Sequence, residues 1–227
     1  MQLFAKCDHH TPECLHHWRR IEENANALTH FIGACLGVAA LIILVVQASR
    51  FGSARSVIGC AVFGMSLILT YASSACYHFV SDLTIKHHLR RVDHMSIYLL
   101  IAGSYTPFTL VSLYGPWGWS LFGTIWGLAL FGFAFKAYSA DKFEWLSTLT
   151  YVLMGWVALV AIVPIIENLP LPALMWLIGG GVLYTVGVFF FLLETVPFAH
   201  TVWHLFVLAG SMCHFFAVLF YVAPISN

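Results

Sequence analysis

Residues 173–193 read ALMWLIGGGVLYTVGVFFFLL, with no charged side chain until Glu194 ends the run. A helix needs about 20 consecutive apolar residues to cross the hydrocarbon of a bilayer. Lipid offers no hydrogen bonds to the backbone, so such a run must close them internally as a helix. Outward from this stretch, six more of similar length and character can be marked. The predicted spans lie near 27–48, 56–79, 93–113, 118–138, 147–166, 173–194 and 201–222. The breaks between them are short and hold nearly all the charge, leaving no room for a soluble domain. The expectation is an all-α membrane protein, one seven-transmembrane helix bundle over 27–222. A polar tail, 1–26, precedes it and a short one, 223–227, follows.

Composition agrees. The chain of 227 residues is 60% hydrophobic and 9% charged, where an ordinary soluble domain carries about 25% charged residues. Lys plus Arg equals Asp plus Glu, at 10 each. That balance excludes a basic nucleic-acid binder and a highly charged disordered chain. The segment before the first span lacks the basic stretch, apolar run and small-residue cleavage site of a signal peptide.

The positions of the basic residues, rather than the net charge, set the expected orientation. With the N-terminus in the cytoplasm, the inner segments hold Lys6, Arg19, Arg20, Lys86, Arg90, Arg91, Lys136 and Lys142. The outer segments hold only Arg50 and Arg55. The N-terminus is therefore expected in the cytoplasm and the C-terminus outside.

Ionisable residues inside spans are costly and point to function. Span 2 ends in Ser74-Ala75-Cys76-Tyr77-His78, span 3 opens with Asp93-His94, and span 7 opens with His200-Thr201-Val202-Trp203-His204. The alternation of spans brings these three ends to one depth, at the cytoplasmic side. His200 and His204, at i and i+4, share a helix face and can hold one metal ion. His78 supplies a third nitrogen from another helix. Three histidines with an open fourth position make the ligand set of catalytic zinc. Ser74, four residues before His78, faces the same volume. Asp93 is placed to hold a water or take its proton. Taken singly, the bland readings are strong: an i, i+4 pair at a helix end is usually interfacial, Ser74 can back-bond its own helix, and Asp93 can cap span 3. Their common depth favours a shared site. His87, His88 and His94 read as interfacial or loop residues, and His214 as a buried hydrogen-bonding group near mid-membrane. Cys7, Cys14, His9, His10, His16 and His17 crowd the N-terminal tail, but their spacing fits no zinc-finger pattern.

Ser-x-x-x-His at the end of span 2, Asp at the start of span 3 and His-x-x-x-His at the start of span 7 together resemble the bacterial haemolysin III family. That family lies within the superfamily of progestin and adiponectin receptors, related in turn to the alkaline ceramidases. The stretches Glu22–His30 (EENANALTH), Asp93–Pro107 (DHMSIYLLIAGSYTP) and Pro197–Phe206 (PFAHTVWHLF) are similar to family members as well. The resemblance implies a seven-helix fold with a cytoplasmic N-terminus and one zinc ion held by His78, His200 and His204. Ser74 and Asp93 would contact the water at that zinc, and Glu22 would stand at the mouth of span 1. The expected activity is an intramembrane zinc-dependent hydrolase acting on an amide or ester bond of a membrane lipid. The alternatives are a receptor or sensor with structural zinc, and a cytolysin. A high apolar content argues against a secreted pore-former, and no pair of broken helices in matching halves marks an inverted-repeat transporter.

Overall fold

A computed structural model describes residues 12–139, 144–193 and 195–225, with side chains from residue 18 onward apart from that of Ser139. The helices are α1 (Pro12–Phe51), α2 (Ala54–Phe79), α3 (Leu83–Pro107), α4 (Pro116–Ser139), α5 (Glu144–Gly155), α6 (Ile162–Asn168), α7 (Leu171–Phe191) and α8 (Ala199–Tyr221). A π-helical turn, Phe108–Ser112, extends α3, and a 3-10 turn, Val157–Ala161, joins α5 to α6. Among the described residues there is no strand, and seven helical segments are long and apolar enough to cross a membrane.

Three boundaries depart from the sequence-based expectation. The segment expected as a polar tail is helical from Pro12, so α1 continues well beyond the apolar run at 27–48. Cys7, His9 and His10 lie outside the described residues, as do the side chains of Cys14, His16 and His17. The third helix begins at Leu83 rather than 93. Asp82 caps it, its carboxylate accepting from Thr84 N–H at 3.0 Å and Ile85 N–H at 2.9 Å. A side-chain acceptor for the otherwise unpaired first N–H groups starts a helix whether or not the turn is apolar. Asp93 is therefore an interior residue of α3, not its cap.

The third departure is the break in span 5. The N–H of Ala158 is donated to Tyr105 Oη at 3.0 Å, and that hydroxyl donates in turn to Gly155 O at 2.8 Å. Pro164, two residues into α6, has no N–H to return to Val160, which loosens the preceding turn. Freed backbone groups at membrane depth must find partners inside the protein, and Tyr105 of α3 supplies them.

Lipid gives helices no hydrophobic reason to associate, so close packing and interhelical hydrogen bonds hold such bundles together. Gly132 of α4 shows the packing: a Cβ there would lie 2.3 Å from the Tyr98 ring of α3. The hydrogen bonds recur along α2 and α3, where Thr70 Oγ1 donates to Ser96 O at 3.1 Å and Ser73 Oγ to Ser96 Oγ at 3.2 Å. At the same end, Arg90 of α3 pairs with Glu144 of α5 at 2.5 Å.

Replacement of Tyr105 by Phe removes the clasp on the broken span while leaving the ring. It should cost about 1–2 kcal/mol, read as a lower thermal midpoint in detergent. An unchanged midpoint would show that the break is stable without Tyr105.

Candidate metal centre

The last turns of α2 carry Ser74 and His78 on one face, 1% and 5% exposed. The start of α8 carries His200 and His204, one turn apart on one face, and His204 is 1% exposed. The chain enters α8 through Phe198, in the left-handed region at φ 60°. Glu22 of α1 lies against the Phe198 backbone, two residues before His200. An unfavourable conformation for a bulky residue persists only where its surroundings hold it. Glu22 stands beside the turn that leads to His200.

The rings of His78 and His200 have centroids 5.1 Å apart, as do those of His78 and His204. His200 and His204 are 4.6 Å apart. One ligand nitrogen from each of the three lies within 4.8 Å of the others, a group that can hold a metal ion after small ring rotations.

The partners of these rings test whether a metal fits. Thr29 Oγ1 donates its single proton to Asn26 O at 2.9 Å, so towards His204 Nδ1, at 3.1 Å, it acts as acceptor. His204 then carries its proton on Nδ1 and presents the Nε2 lone pair. Neither ring nitrogen of His78 has a hydrogen-bond partner: Nδ1 faces a Glu23 carboxylate oxygen across 3.5 Å, and Nε2 is buried and bare. A carboxylate or hydroxyl behind one ring nitrogen, with the other left bare, is the usual support of a metal-binding histidine. The donor set fits a divalent ion. Glu23 is itself held by Lys86, and Asn26 Oδ1 accepts from Thr201 Oγ1 at 2.5 Å, tying α1 to α8.

Asp93 is 8% exposed and its carboxyl lies beside Ser74. Ser74, Asp93, His200 and His204 all line a cavity of about 370 Å³. Its other walls are mostly apolar, from α3, the broken span and α7, including Ile97, Leu100, Ile162 and Leu177. His94, expected at an interface or in a loop, is buried and lines this cavity too. His87 and His88 are exposed on α3. His214 lines the deeper part of the cavity, against Gly180 and Tyr184.

The structure thus brings together His78, His200 and His204, and sets Ser74 and Asp93 in the lining of the cavity that His200 and His204 also border. Sequence reasoning missed Glu23, Asn26, Thr29 and His30. Their signal was the spacing of 23, 26 and 30, one helical face. It went unused because the expected boundary at 26/27 divided that face between a tail and the first span.

These features define a class: a membrane protein of seven apolar spans with a three-histidine group, two of its members buried, at one end. A family model described as Haemolysin-III related matches residues 18–215, and the chain belongs to this family. Hemolysin-3 of Bacillus cereus is 48% identical over 206 residues, covering 91% of this chain and 94% of the relative. A hemolysin-3 homolog of Bacillus subtilis is 42% identical over 204 residues, covering 90% and 96%. The monocyte to macrophage differentiation factor of Homo sapiens is 31% identical over 169 residues, covering 71% and 69%.

If Thr29 fixes the tautomer of His204, Thr29→Val should weaken divalent-ion binding about 10–100-fold. Competition with a chromophoric chelator reads this directly. Equal affinity in both proteins would remove Thr29 from the centre.

Proposed function

We propose that the protein is an intramembrane zinc hydrolase that cleaves an amide or ester bond of a membrane lipid, with its site at the cytoplasmic face of the inner membrane. One observation carries this reading. Two of the three grouped histidines, His200 and His204, line with Ser74 and Asp93 a cavity whose other walls are mostly apolar. Such a cavity matches an amphiphile with a hydrocarbon body and a carbonyl at its head. The placement of eight of the ten basic residues on the same side supports a cytoplasmic site.

His78, His200 and His204 would hold the ion. Three nitrogen ligands favour zinc over the oxygen-seeking divalent ions. Bound there, zinc would supply a Lewis acid that polarises a carbonyl and acidifies water. The remaining work belongs to the chain. Asp93 takes a proton from the attacking water as its oxygen bonds to the carbonyl carbon. It passes that proton to the nitrogen or oxygen that leaves as the old bond breaks. Ser74 orients the Asp93 carboxyl, and its hydroxyl is placed to donate to oxygen as charge develops there. The apolar walls exclude bulk water and position the chain.

Elemental analysis should find one zinc per wild-type chain and none in His78→Ala. Wild-type protein should release fatty acid from ceramides or other acyl lipids. Asp93→Asn should keep its zinc and lose about 10²–10⁴-fold in rate. Fully zinc-loaded protein that releases nothing from any lipid class would defeat the hydrolase reading.

The placement of the ligands on only two helices, α2 and α8, favours one second reading, a receptor or sensor in which the ion ties the helices together. His200→Ala separates the two. A structural ion predicts a large fall in thermal midpoint, whereas a catalytic ion predicts lost turnover in a bundle that still folds. The name hemolysin-3 of the Bacillus cereus relative keeps lysis as a third outcome, checked by exposing red cells to low doses of purified protein beside a control membrane protein.

A further inference from the structure

His30 is a fourth imidazole at the polar end of the cavity, outside the three-histidine group. It is 4% exposed, and neither ring nitrogen has a hydrogen-bond partner. Its ring lies flat on His204, with centroids 3.5 Å apart and planes 10° apart. Its other neighbour is Tyr71, edge-on at 5.1 Å. It also lines the cavity, together with His204 and Asp93.

Stacking does not account for a histidine here. A phenylalanine would cover His204 equally well and would bury no unmatched polar atom, which is costly in an apolar interior. His204 has no need of the His30 nitrogens for its orientation, because Thr29 already engages Nδ1. The nitrogens of His30 thus lack a role inside the protein, while the ring borders the space a ligand would fill. An imidazole offers one N–H donor and one acceptor. An acyl lipid lying in this cavity would set its hydrocarbon against Ile97, Leu100 and Leu177, which leaves the polar head for His30.

We propose that His30 binds the head of the lipid, donating a hydrogen bond to its acyl oxygen beside the three-histidine group. This rests on the reading of the cavity as an acyl-lipid site and names a residue that holds the substrate or its fatty-acid product. His30 and Thr29, adjacent on α1, then divide the work: Thr29 orients a metal ligand and His30 grips the lipid.

The test uses the full chain in detergent, as wild type, His30→Phe and His30→Gln. Phe keeps the stacked ring without its nitrogens, and Gln restores a donor. Each protein is titrated with oleate and with methyl oleate, and its zinc content and thermal midpoint are measured. His30→Phe should bind at least one probe about 10–100-fold more weakly, the range for a lost hydrogen bond to a charged or strongly polar group. Its zinc and midpoint should stay as in wild type, and Gln should recover part of the affinity. Weakening for oleate alone identifies the carboxylate as the group held, and weakening for both identifies the carbonyl. Wild-type affinity in the Phe variant would overturn the proposal, as would a wild type that binds neither probe. Parallel loss of zinc would overturn it too, by making His30 a support of the metal centre. A zinc-free wild type that still shows the contrast would instead sink the hydrolase reading and leave His30 assigned.

Discussion

The polar end of the bundle depends on the seating of one side chain, His204. Its ring is covered by His30, its Nδ1 is held by Thr29, and its remaining edge turns towards His78 and His200. All three neighbouring elements, α1, α2 and α8, must approach closely for this to happen. A polar ring at that depth has no water to fall back on, so its partners must come from the protein. Helix placement and site geometry are therefore one problem here, since a shift of α1 along its axis would remove the acceptor and the stacked ring together.

The same economy runs deeper into the bundle. Tyr71 of α2 and Tyr184 of α7 both meet Ser211 of α8 at 2.6 Å. These hydroxyls satisfy one another where lipid would leave them bare, and they join three helices around the cavity. On the opposite wall, Tyr105 closes the backbone of the broken span. The cavity is thus surrounded by helices pinned through polar side chains rather than by a continuous apolar seam. That arrangement lets an apolar space persist inside a bundle whose helices have little hydrophobic drive to close it.

Similarity to the Bacillus proteins extends over nine-tenths of the chain, and that to the human protein over about seven-tenths. The family match begins at residue 18, before the apolar run, and so includes Glu22, Glu23, Asn26, Thr29 and His30. The polar turns of α1 from Trp18 to Asn26 belong to the same structural unit as the spans, a conclusion their composition concealed. They are polar because they face other polar groups: Glu22 the turn into α8, Glu23 the His78 and Lys86 side chains, and Asn26 the Thr201 hydroxyl.

The number and approximate place of the spans were legible in the chain, because an apolar run of bilayer length has one low-energy solution in lipid. The convergence of His78 with His200 and His204 was legible as well. Alternating spans place certain ends at one depth, and i, i+4 spacing places side chains on one face. Tertiary structure decided what linear spacing cannot express. It carried α1 and α3 past their apolar limits, through caps and contacts that hydropathy does not record. It broke span 5, since the partner that satisfies the break comes from another helix. It also chose Glu23, Thr29 and His30 as the neighbours of the histidines. Depth and face follow from one helix at a time, whereas the rotation and axial shift of α1 against α8 are set only when all the helices pack.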